Sequence, residues 1–168
     1  MKGRPMQSTR RWRVASAALL VAAGLLFAAC GGSSGGVTAT ATAGVADPAT
    51  AYRRDANAAL DALATASLGV SDVMAKADPQ SATWRTSLAA ALDAVSNVHT
   101  QVRALTAPAA YAEAQQALLD VTADFDQAAQ LIRGAVEPPN ADALEQASAL
   151  LQAGVTKVAT VRAMLATG

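Results

Sequence analysis

The chain has 168 residues, which is enough for one ordinary domain once a targeting segment is set aside. Hydrophobic residues make up 52% and aromatic residues only 4%, so alanine supplies much of the apolar content. Because alanine favours helices over strands, this composition predicts closely packed helices. Five of the 13 basic residues precede position 14, which leaves eight against 13 acidic residues and a net charge of −5 for the rest. We expect no nucleic-acid partner for such an acidic body.

The first thirty residues carry the strongest functional signal in the sequence. Residues 1–13 are basic, whereas residues 14–29 contain no charged side chain. The uncharged run is shorter than the ~20 residues that span a membrane, and it suits the apolar part of a signal peptide. The one cysteine of the sequence, Cys30, follows directly. An exported domain without a second cysteine has no internal disulfide, so packing must hold it together.

The end of this run, Leu26-Phe27-Ala28-Ala29-Cys30, resembles the lipobox of bacterial lipoprotein precursors. The resemblance implies that an acyl lipid such as palmitate is attached to the Cys30 thiol and that the chain is cut before it. Phe27 departs from the leucine usual at that position. An ordinary secretory signal with a chance cysteine and an uncleaved anchor are the alternatives. Of these interpretations, only the lipobox explains both the position of Cys30 and why it is the one cysteine of the sequence.

This resemblance divides the chain into a signal peptide over residues 1–29, a lipidated Cys30 with a linker over residues 30–46, and a helical domain over residues 47–168. The Gly/Ser/Thr/Ala-rich linker favours a flexible coil. We therefore expect a protein anchored to the cell membrane on its extracytoplasmic side, or on the periplasmic face of a membrane in a two-membrane cell. The small Ala-rich helical lipoproteins of bacteria imply no shared activity.

Prolines divide the helical domain at intervals of about thirty residues, at Pro48, Pro79, Pro108 and Pro138-Pro139. Proline is tolerated in the first helical turn and breaks helix interiors, so each proline marks a helix start. The sequence predicts helices over about 48–76, 79–105, 108–135 and 141–166. The predicted N-caps of the first, second and fourth helices, and the residue that precedes the third, are Asp47, Asp78, Asn140 and Thr106 respectively.

Apolar residues recur at alternating steps of three and four in the last three helices and less regularly in the first, which is typical of a buried seam in a bundle. Short connections between long helices favour antiparallel neighbours, so the predicted fold is all-α, an up-down-up-down antiparallel four-helix bundle. Two glycines within the helices, Gly69 and Gly154, mark either a close backbone approach or a weak point. The four predicted seams are Tyr52, Ala56, Leu60, Leu63, Ser67, Val70 and Met74; Trp84, Leu88, Ala91, Val95, Val98, Val102 and Leu105; Tyr111, Ala114, Leu118, Val121, Phe125, Ala128 and Ile132; and Leu144, Ala147, Leu151, Gly154, Val158, Val161 and Leu165.

A faint internal repeat places a leucine and an aspartate eight and nine residues after an aromatic residue, as Leu60-Asp61, Leu92-Asp93 and Leu119-Asp120. On a helix the leucine then shares the broad face of the aromatic residue, and the aspartate points away from it. We interpret this pattern as a core layer with a solvated acidic residue, in preference to a cofactor box.

Residues that carry chemistry are few. His99 is the one histidine, and the sequence contains neither a Glu-x-x-His pair, a haem-attachment motif nor a Gly-x-Ser-x-Gly nucleophile motif. Asp120, Asp124 and Asp126 supply fewer oxygens than the 6–8 of a calcium site, so a solvated acidic face is the better interpretation. We therefore expect no enzyme activity, no metal site, and no cofactor besides the covalent lipid.

Counting along antiparallel helices places Asn57, His99, Gln115 and Arg162 at a similar height. They are either a polar layer that contacts a ligand or sets the register of the bundle, or unrelated flank residues. The first functional hypothesis is a non-enzymatic module that binds a protein or another component of the cell envelope. The alternative is a carrier of a small apolar ligand or haem within the bundle.

Overall fold

The computed structural model describes residues 47–167, so the predicted signal peptide, Cys30 and the whole predicted linker lie outside the described residues. Within this range each long helix packs against the next in antiparallel fashion, which confirms the predicted all-α four-helix bundle. The most extensive contact joins the last two helices. The elements are α1 (Pro48–Ala75), α2 (Ala82–Ala104), a short 3-10 turn (Ala109–Tyr111), α3 (Ala112–Val136) and α4 (Ala141–Thr167).

Two of the predicted N-caps are confirmed. The backbone N–H of Thr50 donates to the Asp47 carboxylate at 3.2 Å, and Pro48 occupies the first turn of α1. The backbone N–H of Ala143 donates to the Asn140 side-chain oxygen at 3.1 Å. Both contacts satisfy backbone donors that the first helical turn leaves without an intrahelical acceptor.

The second and third α-helices begin three to four residues later than their approximate predicted starts, and the predicted N-cap Asp78 is wrong. Residues 78–81 form a turn in which the Ser81 N–H donates to the Asp78 carbonyl at 2.9 Å, and α2 begins only at Ala82. The N-cap is Ser81, whose hydroxyl accepts from the backbone N–H of Trp84 at 3.3 Å. Similarly, the 3-10 turn occupies the residues after Pro108, which delays the start of α3 to Ala112.

The aliphatic and aromatic seam residues form one continuous core. All seven seam residues of α3 and its preceding turn are buried, whereas each of the other three predicted seams has one or two residues that are partly exposed. Those partly exposed seam residues are Ser67, Ala91, Leu105 and Leu151. The predicted seams therefore identify the core well, because a period near 3.6 residues keeps one face of each helix turned inward.

Aromatic residues fix the two ends of the bundle. At one end the rings of Tyr52 and Tyr111 lie with their centroids 5.3 Å apart, which joins the starts of α1 and α3. At the other end the Trp84 indole N–H donates to the Val73 carbonyl at 2.8 Å, which joins the start of α2 to the end of α1. Both contacts follow directly from the up-down-up-down order, in which odd-numbered helices start at the same end.

Candidate functional site

Gln115 links three helices at the end of the bundle where α1 and α3 begin. The Tyr52 hydroxyl donates to the Gln115 side-chain oxygen at 2.9 Å, and the Gln115 amide donates to the Val102 carbonyl of α2 at 3.0 Å. Gln115 thus uses both ends of its amide group inside the protein. Burial raises the pKa of the Tyr52 phenol above its ordinary value of 10.0, because the charged phenolate would lose its hydration.

His99 joins α2 to α3. Its ring atom Nδ1 lies 3.0 Å from the hydroxyl of Thr122, a residue that is 1% exposed. The Thr122 hydroxyl also lies 3.1 Å from the carbonyl oxygens of Leu118 and Leu119 within α3. A hydroxyl has one proton and two lone pairs, so it satisfies either tautomer of the ring. The half-buried His99 therefore supplies a hydrogen-bond partner to the buried Thr122 hydroxyl.

The two remaining members of the predicted polar layer bind elsewhere. The Asn57 amide donates to the Arg53 carbonyl of its own helix at 2.8 Å, and the Arg162 guanidinium donates to Asp61 at 2.7 Å. Gln115 and the Thr122 partner of His99 are seven residues apart, about 10 Å along α3, so their hydrogen bonds lie at different levels. Each of the four predicted residues thus has a partner of its own, and their contact with a ligand stays a prediction.

Ion pairs between helices are the feature that sequence reasoning missed. Three pairs connect α1 to α4, α2 to α3 and α3 to α4, with nitrogen–oxygen distances of 2.6–2.7 Å. Two of the aspartates, Asp61 and Asp93, belong to the internal repeat and are exposed as predicted. The hydrogen bond to Asp124 also raises the pKa of the Lys157 ammonium. The pairs are Arg162–Asp61, Arg133–Asp93 and Lys157–Asp124.

The three aspartates of α3 have separate partners. Asp120 accepts from the Gln116 amide at 2.8 Å, Asp124 accepts from Lys157 at 2.6 Å, and Asp126 accepts from the Gln130 amide at 2.7 Å. Within residues 47–167 no three His, Cys, Asp or Glu side chains lie close enough together to hold a metal ion.

The contact between α1 and α4 is the loosest contact between neighbouring helices. We call it the α1–α4 seam and define it by Asp61, Ala64, Leu68 and Ser71 on α1 and by Leu151, Val155 and Arg162 on α4. Leu68 lies two turns after Asp61 and Val155 lies two turns before Arg162. Because the helices are antiparallel and Asp61 binds Arg162, Leu68 and Val155 come opposite each other. Both are only half-buried, so apolar surface stays accessible along the seam.

Helix α1 is also long and apolar enough, by length and composition alone, to cross a membrane. A core helix of a bundle passes the same test, and α1 buries Tyr52, Leu60 and Leu63 against its neighbours. No other helix among residues 47–167 meets this criterion. We assign α1 to the bundle because its apolar face packs against other helices.

Comparisons of this chain with protein-family models, with curated proteins and with solved structures find no match.

Proposed function

We propose that this protein is a membrane-anchored extracytoplasmic lipoprotein, and that its bundle is a non-enzymatic module that binds a protein or another component of the cell envelope. The observation that carries the proposal is the position of Cys30. It directly follows an uncharged segment that a basic segment precedes, and it is the one cysteine of the chain. Two acyl chains would hold such a protein stably on a membrane, because each buried methylene contributes about 0.8 kcal/mol.

The bundle supports a binding role through its shape and its surface. The four long helices present exposed outward faces, of the kind that binds partners along a groove or against another helix. One exposed side of α2, next to Asp93, is uncharged over four turns and carries Ser87, Ala90, Ala94, Asn97 and Gln101. Such a face binds a protein without desolvating a charged side chain, which lowers the cost of association.

Acyl labelling of the full chain tests the anchor. The unaltered protein should incorporate a labelled fatty acid and sediment with membranes, whereas a Cys30→Ser variant should do neither. Label that persists in the Cys30→Ser variant would refute lipidation at this residue. A signal peptide found still attached in the mature product would contradict the predicted cleavage.

Photo-crosslinking in the protein's own cells tests the binding role. A crosslinking residue placed at Asn97, on the uncharged face of α2, should capture one discrete envelope component. The matched control places the same residue at Gln152 on the outward face of α4, which is also exposed. Crosslinks of the same pattern and yield from both positions would indicate non-specific proximity and would contradict a binding face on α2.

The second candidate function is a carrier of a small apolar ligand or haem within the bundle. The half-buried apolar residues of the α1–α4 seam favour it, since a ligand could enter the core there. Native mass spectrometry of the full chain extracted from its membrane should then show an added mass of fixed value. The carrier function is rejected if the protein shows the mass of the lipidated chain alone.

A further inference from the structure

The contacts between neighbouring helices differ in the side chains that hold the two helices together. Trp84 is 6% exposed and binds the Val73 carbonyl across the α1–α2 contact. His99 binds the buried Thr122 across the α2–α3 contact. The Phe125 ring lies directly on the backbone of Gly154 across the α3–α4 contact. Each of these contacts therefore contains a large or polar side chain that is itself buried or has a buried partner.

The α1–α4 seam has a weaker bridge. The ion pair between Arg162 and Asp61 has side chains that are 40% and 69% exposed, and pairs with such exposure stabilise proteins little. The hydroxyl of the seam residue Ser71 and that of Ser67, one turn before it, donate to the carbonyls of Ser67 and Leu63 in their own helix. Both hydroxyls therefore make their hydrogen bonds within α1 and do not bridge to α4.

We infer that the bundle opens along the α1–α4 seam while all four helices stay folded. Parting α1 from α4 beyond Tyr52, whose contacts with Tyr111 and Gln115 of α3 stay in place, breaks one exposed ion pair, separates the half-buried Leu68 and Val155 and uncovers Leu60. Opening any other contact would expose an aromatic ring or a buried hydroxyl, which costs more free energy. Helices α1 and α4 are also the two ends of the bundle in sequence, so no turn connects them directly. The inference does not depend on which partner or ligand the protein binds.

Native-state thiol labelling tests the opening, and the internal repeat supplies a matched pair of sites. Leu60 and Leu92 are 2% and 1% exposed, and each precedes an aspartate that pairs with an arginine of a neighbouring helix. Leu60 adjoins the α1–α4 seam, whereas Leu92 adjoins the α2–α3 contact. The variants Leu60→Cys and Leu92→Cys are made in the full chain with Cys30→Ser, so that each protein has one thiol.

A bulky maleimide should label the Leu60→Cys thiol at least tenfold faster than the Leu92→Cys thiol without denaturant. Each rate is divided by the rate of the same variant in denaturant, which removes the intrinsic reactivity of the thiol. Equal normalised rates would mean that both sites react only through global unfolding, and would overturn the inference. If circular dichroism shows that Leu60→Cys has lost helix, Ser71→Cys replaces it, since sulfur for oxygen changes the shape little.

The ion pairs supply a second matched test. Asp61→Asn removes the charge at the seam, and Asp93→Asn removes the corresponding charge between α2 and α3. Asp61→Asn should speed labelling of the Leu60→Cys thiol by roughly two- to fivefold, the range that an exposed ion pair supports. Asp93→Asn should leave that rate unchanged. An equal effect of the two substitutions would mean that both act on global stability, and would also overturn the inference.

Discussion

Gly154 allows the ring of Phe125 to lie directly against the backbone of α4. A Cβ atom at this position would lie 2.5 and 2.8 Å from two ring carbons, distances that side chains do not adopt. At Gly69, in contrast, a Cβ atom would meet nothing within 4 Å. Both glycines interrupt helical sequence in the same way. The sequence left open whether each glycine marks a close backbone approach or a weak point, and only the packing shows that Gly154 marks a close approach.

The substitution Gly154→Ala should therefore lower the free energy of unfolding by about 1–3 kcal/mol, the typical cost of overpacking. Gly69→Ala should instead raise it by about 0.5–1 kcal/mol, because alanine restricts the unfolded chain and fits the helix. Urea denaturation of the two variants measures both effects. A stabilised Gly154→Ala protein would show that the Phe125 ring moves aside at no cost.

The Tyr52 phenol should make stability depend on pH above 10.0, its ordinary pKa. There the unfolded chain loses the phenolic proton while the folded chain, with its raised pKa, retains it, so unfolding becomes easier as pH rises. Tyr52→Phe should cost about 1 kcal/mol at neutral pH through the lost hydrogen bond to Gln115, and it should flatten this decline. Lys157 also loses its stabilising charge in this range, but in both proteins. Denaturation at pH 8 and pH 11 checks the difference, and parallel curves would contradict it.

At the level of helices, each start depends on which residue supplies the first acceptor. Asp47 and Asn140 cap α1 and α4 as their sequence neighbourhood predicts. Before α2, both Asp78 and Ser81 have the side chain of a good cap, and Pro79 favours a start after Asp78 as much as it favours a turn. The contact of Trp84 with Val73 brings the chain back along α1, and the turn over residues 78–81 accommodates it.

Ser81→Ala should destabilise the protein by about 1 kcal/mol, because the Trp84 N–H loses its acceptor at the start of α2. Asp78→Ala should change the free energy of unfolding by less than about 0.5 kcal/mol, since the Asp78 contact to Ser81 uses the backbone carbonyl. Thermal denaturation of the two variants separates these expectations. The reverse order of effects would restore Asp78 as the cap.

Across the whole molecule, ion pairs between helices help to fix how the helices align with one another around a core that is largely aliphatic. They join three of the four helix contacts, and they differ in how far water screens them. Asp124 is 18% exposed, whereas Asp61 is 69% exposed. A carboxylate that water screens less interacts more strongly with its partner. Of these two pairs, the one between α3 and α4 should therefore contribute more to stability.

Asp124→Asn should lower the free energy of unfolding by about 1 kcal/mol, and Asp61→Asn should lower it by only a few tenths of a kcal/mol. Double-mutant cycles with Lys157→Met and Arg162→Met isolate each pair from other effects of the substitution. Raising the salt concentration should shrink the Asp61 coupling more. Equal coupling energies would mean that exposure does not govern these pairs.

Sequence reasoning predicted the fold and most of the core, since a strong helical period with proline punctuation allows few other arrangements. It did not predict the polar contacts. His99 and Gln115 were grouped by height along the helices, yet their partners Thr122, Tyr52 and Val102 depend on the rotation and axial offset of each helix. A shift of one residue turns a helix by 100°, so small errors in register replace one partner with another.

The sequence by itself determined the number of helices, their inward faces and the net negative charge of the bundle, because local propensity and periodicity act within each segment. The tertiary structure decided the start of α2, the role of Gly154, the helix-to-helix ion pairs and the looseness of the α1–α4 seam. Those features arise between segments that are distant in sequence. They depend on how packing sets the rotation and spacing of whole helices, which no single segment encodes.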